Sequence, residues 1–154
     1  MTEAGYRDMT TGLAPQALAE AVRDGMSAND RTVAGLGIGF DAVAPGYAKM
    51  RMTVREDMLN GFDICHGGYI SVLADSAFAY ACNSHNERTV ASGISLDFMA
   101  PGLPGDVLIA EAKEVFVAGR TGVYDVTVVN QEGELVAVMR GKSYRLKGRA
   151  TVEL

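Results

Sequence analysis

Residues 68–83 (GYISVLADSAFAYACN) place apolar side chains nearly all round a helical wheel instead of along one stripe. That pattern belongs to a helix buried on most sides. At the helical rise it is about 24 Å long, enough to run the length of a small domain. Asn83-Ser84-His85-Asn86 closes it. Upstream, Leu18, Ala19 and Val22 share one face of a short helix over 15–23, with Pro15 in its first turn and Gly25 suited to its end. Two extended runs, 32–43 and 47–54, are split by the turn dipeptide Pro45-Gly46 and read as a hairpin. Four more runs follow the long helix, over 90–99, 107–117, 122–130 and 134–146. In the third, Tyr124, Val126 and Val128 alternate with Asp125 and Thr127. Runs joined by turns such as Ala118-Gly119-Arg120 and Gln131-Glu132-Gly133 predict an antiparallel meander. The fold class is α+β, with an extended antiparallel sheet curling around one long helix.

Length and composition keep this picture to one domain. The chain has 154 residues, 48% hydrophobic and 21% charged, an ordinary globular balance. No linker or repeat divides it. Residues 1–30 form an N-terminal segment with the short helix, 31–148 the main domain and 149–154 a tail; residues 1–13 lack apolar periodicity and are expected to fray. The most apolar stretch contains Asp75 and is too short to span a bilayer, and the first fifteen residues do not resemble a secretory signal. Two cysteines make no disulfide framework, so a reducing cytoplasm is the expected address. A net charge of −5 disfavours non-specific nucleic-acid binding. Yet five of the fourteen cations, Arg140, Lys142, Arg145, Lys147 and Arg149, crowd into RGKSYRLKGR without an anion. Such a strip is either a solvated strand or a contact for a small polyanion.

Asp75 is the residue out of place. It sits midway along the most apolar helix, and its helical neighbours Ser71, Val72, Phe78 and Ala79 include no cation. A carboxylate there lies on a narrow polar stripe, pairs with a distant arginine, or is poised as a base or nucleophile with its pKa raised by desolvation. Cys65-His66-Gly67-Gly68 opens the same helix. Glycines at a helix N-terminus let a ligand approach backbone N–H groups, the equipment needed to hold a developing oxyanion. Asp75 lies about 10–12 Å along the helix from those donors. If both serve one carbonyl, they come from different subunits. Cys65, His66, Cys82 and His85 bracket the helix too widely to close one zinc tetrahedron. Tyr69, Phe78, Tyr80 and Phe98 read as core, with an acyl pocket as the alternative.

Asn60-Gly61-Phe62-Asp63-Ile64-Cys65-His66-Gly67-Gly68, followed by Leu73-Ala74-Asp75-Ser76-Ala77-Phe78-Ala79-Tyr80-Ala81, resembles the hotdog-fold acyl-CoA thioesterases, most of all the phenylacetic-acid-degradation (PaaI-type) group. Leu96-Asp97-Phe98-Met99-Ala100-Pro101-Gly102, Gly122-Val123-Tyr124-Asp125 and Arg140-Gly141-Lys142-Ser143 agree, so the likeness spans roughly residues 32–148. The resemblance implies a hotdog fold, a homodimer or dimer of dimers, acyl- or aryl-CoA substrates, and no metal or redox cofactor. By position, Asp75 matches the carboxylate that activates water or attacks the thioester. Gly67 matches the oxyanion donor, and Asn60 and His66 the polar residues that position water and substrate from the partner. Gly68, Arg120, Lys142 and Ser143 fall where substrate is held. A serine that assists water in some relatives is replaced here by Ala91, with Ser92 beside it.

Hydrolysis of a thioester suits these residues, because thiolate leaves readily and no strong general acid is needed. Two other readings share the fold: a hydroxyacyl dehydratase, and an acyl-CoA-binding protein without turnover.

Overall fold

The computed structural model describes residues 11–154. Six strands form one antiparallel sheet in the order β1-β2-β4-β5-β6-β3. They are β1 (Gly39–Ala44), β2 (Tyr47–Thr53), β3 (Glu87–Phe98), β4 (Val107–Ala118), β5 (Thr121–Val129) and β6 (Leu135–Ala150). The long helix α3 (Gly67–Asn83) lies against the sheet, and α1 (Pro15–Ser27) and α2 (Arg31–Gly35) precede it. This is the curved sheet around a central helix that the resemblance implies. The expected meander is β4-β5-β6, and the strand after the helix joins its far side.

Helix and sheet meet through a dry core. Leu73, Ala74, Ala77, Phe78 and Ala81 of α3 are buried against Met50, Leu108, Ala110, Val126, Val128 and Met139. Tyr124, Val126 and Val128 alternate inward as expected. Gly141 lets the helix sit close: a Cβ there would stand 2.9 Å from Phe78 Cε2 and Cζ. At the helix C-terminus the Ser84 hydroxyl donates to Ala81 O at 2.8 Å and accepts from Gly46 N–H at 2.8 Å, tying α3 to the β1–β2 turn.

Two expectations are corrected. Residues 31–35 are helical, not part of an extended run. Thr32 and Val33 favour strands, but the Asp30 side chain accepts from Val33 N–H at 3.0 Å and caps a short helix, and its other oxygen accepts from Tyr80 OH at 3.0 Å. Nor does Gly25 end α1, which continues to Ser27. A Cβ at Gly25 would meet Val152 Cγ1 at 2.7 Å, so this glycine makes room for the C-terminal residues. Those residues are held in turn by Asn86, whose side chain bonds Val152 N–H at 3.0 Å and Val152 O at 3.2 Å. β6 likewise runs to Ala150, past the expected end at 146, because its last residues pair with Glu87 of β3. The expected fraying of residues 1–13 falls largely outside the described residues.

Candidate active site

The sheet covers one side of α3 and leaves the other open. Gly68 and Asp75 are exposed on that open side, with Ser71, Val72 and Ala79 partly so. β3 is the terminal strand beside it. Ile94, Leu96 and Phe98 pair with Gly141, Met139 and Ala137, residues whose side of the sheet faces the helix. Even so, Ile94 is 49% and Phe98 54% exposed, because no further layer covers this edge. The open strip between α3 and β3 thus presents apolar Val72, Ala79, Ile94 and Phe98 beside Ser71, Ser76 and the Asp75 carboxylate.

Of the placements open for Asp75, the structure puts it on the exposed face of the helix, beside partly exposed Ser71 and Ser76. Its carboxyl is nevertheless pushed above the usual value of 3.8, and burial among its neighbours is the sole cause. Water reaches part of the side chain, but among the described residues no cation or hydrogen bond offsets what the flanking residues remove. Among the described residues, the distant arginine considered from the sequence is not there. Arg140 is held by Asp125 at 2.8 Å and Arg145 by Glu87 at 3.1 Å.

The helix start is a rigid cradle. His66 caps α3, its Nδ1 accepting from Gly68 N–H at 3.2 Å. A neutral ring bonded this way carries its proton on Nε2. The Ser71 hydroxyl donates to Gly67 O at 2.8 Å. Gly67 N–H has no backbone partner among the described residues, as expected for the first residue of a helix. The preceding loop is fixed by Asn60, whose Oδ1 accepts from Phe62 N–H at 2.9 Å and Ile64 N–H at 3.4 Å. Cys65 N–H donates to Gly102 O and His66 N–H to Met58 O, each at 2.8 Å. Cys65 is buried, and burial raises its thiol pKa, which keeps it protonated and unsuited to attack.

Asn60, His66, Gly67 and Gly68 are therefore brought together, while Asp75 stands eight residues along the helix from Gly67, about 12 Å by the rise. The other expected contacts scatter. Ser143 is buried on the helix side of β6, and Lys142 is exposed on the opposite face. Arg120 donates to Tyr144 OH at 3.2 Å in the β5–β6 region. The basic strip is not one surface: its residues alternate across β6, and two of its five cations are engaged in ion pairs. Beside Ala91, Ser92 lies on a bulge of β3 and donates to Lys142 O at 3.2 Å.

Phe98, read as core with an acyl pocket as the alternative, is half exposed and lies against the helix start. A Cβ on Gly67 would stand 2.7 Å from Phe98 Cζ, so the ring lies directly on the donor glycine. The sequence signal was available in the turn Pro101-Gly102, which returns the end of β3 to the helix start through the Cys65–Gly102 bond. Among the described residues no helix is long and apolar enough to cross a membrane.

Comparison with known proteins agrees with this geometry. The signature of the thioesterase superfamily matches residues 62–137. The chain is 47% identical over 128 residues to the Escherichia coli K12 acyl-coenzyme A thioesterase PaaI, covering 83% of this chain and 91% of that one. The solved structure of the E. coli PaaI protein from the phenylacetic acid degradation operon superposes with a TM-score of 0.87 at 43% identity, over 88% of this chain and 99% of that chain. A Streptococcus mutans UA159 protein bound to acetyl-CoA superposes with a TM-score of 0.67 at 29% identity, over 72% and 91% of the two chains. A sheet wrapped on a helix that opens with His-Gly-Gly and carries a mid-helix carboxylate thus matches a known group in both sequence and shape, and the chain belongs to the thioesterase superfamily as a PaaI-type hotdog acyl-CoA thioesterase.

Proposed function

We propose that the protein hydrolyses aryl-CoA thioesters, such as phenylacetyl- or hydroxyphenylacetyl-CoA, to the free acid and CoA in the cytoplasm, as a homodimer that pairs again into a dimer of dimers. Asp75 activates water or attacks the thioester carbonyl. Gly67 N–H from the partner receives the negative charge that develops on the carbonyl oxygen, and Asn60 and His66 position water and substrate beside it. Gly68 lies beside the substrate at the helix start, exposed Arg120 and Lys142 contribute to holding the CoA portion, and no cofactor takes part.

The observation that carries this reading is Asp75: a carboxylate with a raised pKa on the open face of α3, with no counter-charge among the described residues acting on it. A base is most useful when its pKa approaches the working pH, and burial moves Asp75 in that direction. The N–H of Gly67 is the complementary half, but it lies too far along the same helix to share one carbonyl with Asp75. Two chains related by a two-fold axis bring one of each together. The β3 edge supports the pairing. Edge strand β1 is partly covered, since Gln16 of α1 donates to Val43 O at 2.9 Å, whereas twelve-residue β3 presents a long edge with half-exposed Val90, Ile94 and Phe98. The likeness to a phenylacetic acid degradation protein supports an aryl acyl group, and two free buried thiols, Cys65 and Cys82, suit a reducing compartment.

The test is thiol release from a panel of aryl, short-chain and long-chain CoA thioesters by wild type and Asp75→Ala, each checked for fold and mass in solution. Aryl-selective release that is lost in the variant is expected. Wild-type rates in a folded Asp75→Ala dimer would remove Asp75 from the mechanism.

A further inference from the structure

Phe62 is the most exposed large apolar side chain among the described residues, at 86%. An exposed ring on a loose loop calls for no explanation, but this loop is not loose. Besides the two bonds to Asn60 Oδ1, Asn60 N–H donates to Ile64 O at 2.8 Å and Asp63 N–H to Asn60 O at 3.1 Å. Asp63 takes a left-handed conformation, φ 58°, to complete the turn, and Leu59 bridges to Cys65 across its base. The chain therefore holds a phenyl ring in water on a tight hydrogen-bonded turn, five residues before Gly67.

That turn and the helix start are one unit, locked by Cys65 N–H to Gly102 O and His66 N–H to Met58 O. Wherever Gly67 goes, Phe62 goes with it. Five residues reach at most about 17 Å when extended, and the turn shortens this. If Gly67 N–H meets a thioester carbonyl beside the partner's Asp75, Phe62 is carried to the same interface, no farther than that span from the donor. The open strip there has apolar side chains on α3 and β3, at Val72 and Ile94, but no roof.

We propose that Phe62 is a specificity-determining residue: it crosses to the partner with Gly67, roofs the open strip over the acyl group, and favours a flat aromatic acyl chain by ring-on-ring contact. This rests on the dimeric thioesterase reading above. It also gives the exposed ring a destination of matching chemistry, the half-exposed apolar side chains of α3 and β3. No basic side chain takes part, so the effect falls on the acyl end and leaves the CoA end unchanged.

The chain contains no tryptophan, so Phe62→Trp introduces a single emitter at the position in question. In an Asp75→Ala background, its emission should be that of a partly buried indole and should change on adding phenylacetyl-CoA, while CoA alone and acetyl-CoA leave it nearly unchanged. In otherwise wild-type protein, Phe62→Ala should lower kcat/KM for phenylacetyl-CoA about tenfold relative to acetyl-CoA, and Phe62→Tyr should restore the preference. A fully exposed tryptophan indifferent to phenylacetyl-CoA, or an equal effect of Phe62→Ala on both substrates, would overturn the assignment while leaving Asp75-dependent hydrolysis standing. If the wild type releases no thiol from any thioester, the hydrolytic reading fails, and the tryptophan titration alone decides for or against the aryl roof.

Discussion

Gly67 and Gly68 are adjacent glycines with different structural reasons for existing, and replacing each with alanine separates them. Neither has a positive φ, so backbone strain is not at issue at either site. A Cβ on Gly67 would lie 2.7 Å from Phe98 Cζ and 3.2 Å from Cε1 and Cε2. Carbon atoms pack best at about 3.5–4.0 Å, so the ring must retreat by about 1 Å. It can do so, because Phe98 is 54% exposed at the end of its strand. The stability cost of moving it is offset by the roughly 0.4–1 kcal/mol that Gly→Ala contributes by restricting the unfolded chain. Gly67→Ala should therefore change stability by less than about 1 kcal/mol, a Tm shift of roughly 2–4 °C at most for a chain of this length. Turnover should respond far more. In the proposed mechanism Gly67 N–H receives the carbonyl oxygen, and a misplacement of about 1 Å at a reacting group costs on the order of 100-fold. At Gly68 the nearest atom to a new Cβ is His66 Nδ1 at 3.4 Å, an ordinary contact. Gly68→Ala should then raise Tm by a few degrees, with the full 0.4–1 kcal/mol or so retained. The assays are thermal unfolding and steady-state thiol release, with kcat and KM resolved separately. A Gly67→Ala protein with kcat within threefold of wild type would refute the role of this ring and donor. One that unfolds more than about 10 °C early would refute the claim that Phe98 is free to move.

Two further substitutions test the helix that carries Asp75. Burial raises the Asp75 pKa above its unfolded value, so the folded state binds the proton more tightly than the unfolded state. The stability associated with this group is then fully present below the unfolded pKa, near 3.8, and is lost as pH rises through the folded value. Asp75→Asn should accordingly unfold at a higher temperature than wild type at pH 7, with the gap closing as pH falls below about 4; a gap independent of pH, or of opposite sign, would show that the carboxylate is not desolvated. Gly141→Ala places a Cβ 2.9 Å from Phe78 Cε2 and Cζ, and Phe78, 1% exposed, has nowhere to go. Overpacking of this kind costs about 1–3 kcal/mol; because Phe78 lies three residues beyond Asp75 on α3, kcat should fall along with Tm, and unchanged values of both would mean that helix and sheet are less tightly packed than they stand.

What could be read along the chain was whatever depends on local pattern. The run 68–83 announces α3, and the anomaly of Asp75 within it needs no partner to be noticed. The strands of the meander announce themselves by alternation and turn residues, as Tyr124, Val126 and Val128 do. Contacts between distant segments were not legible. Gly25 looks like a helix end until Val152 is found against it, and Thr32-Val33 looks extended until the Asp30 cap is seen. The five-cation strip looked like one surface because sequence does not display the two faces of β6 or the acids Asp125 and Glu87 that occupy two of its members. Nor does alternation identify an edge: Ile94 and Phe98 have the spacing of core residues and do point to the helix layer, yet strand order leaves them uncovered.

The most informative failure concerns α3 itself. A helix apolar nearly all round should be buried nearly all round, but within one chain the sheet reaches only one side of it, and Val72, Asp75 and Ala79 lie toward the other. A lone protomer has no use for apolar residues on an open helix face, and still less for a carboxylate whose ionised form that face destabilises. Both make sense if the face is closed by another copy of the chain, because the same closure that buries Val72 and Ala79 brings the partner's helix start to Asp75. The composition of α3 suits the dimer proposed above, and the distance of about 12 Å from Asp75 to its own Gly67 is the reason that reading draws the two groups from different chains.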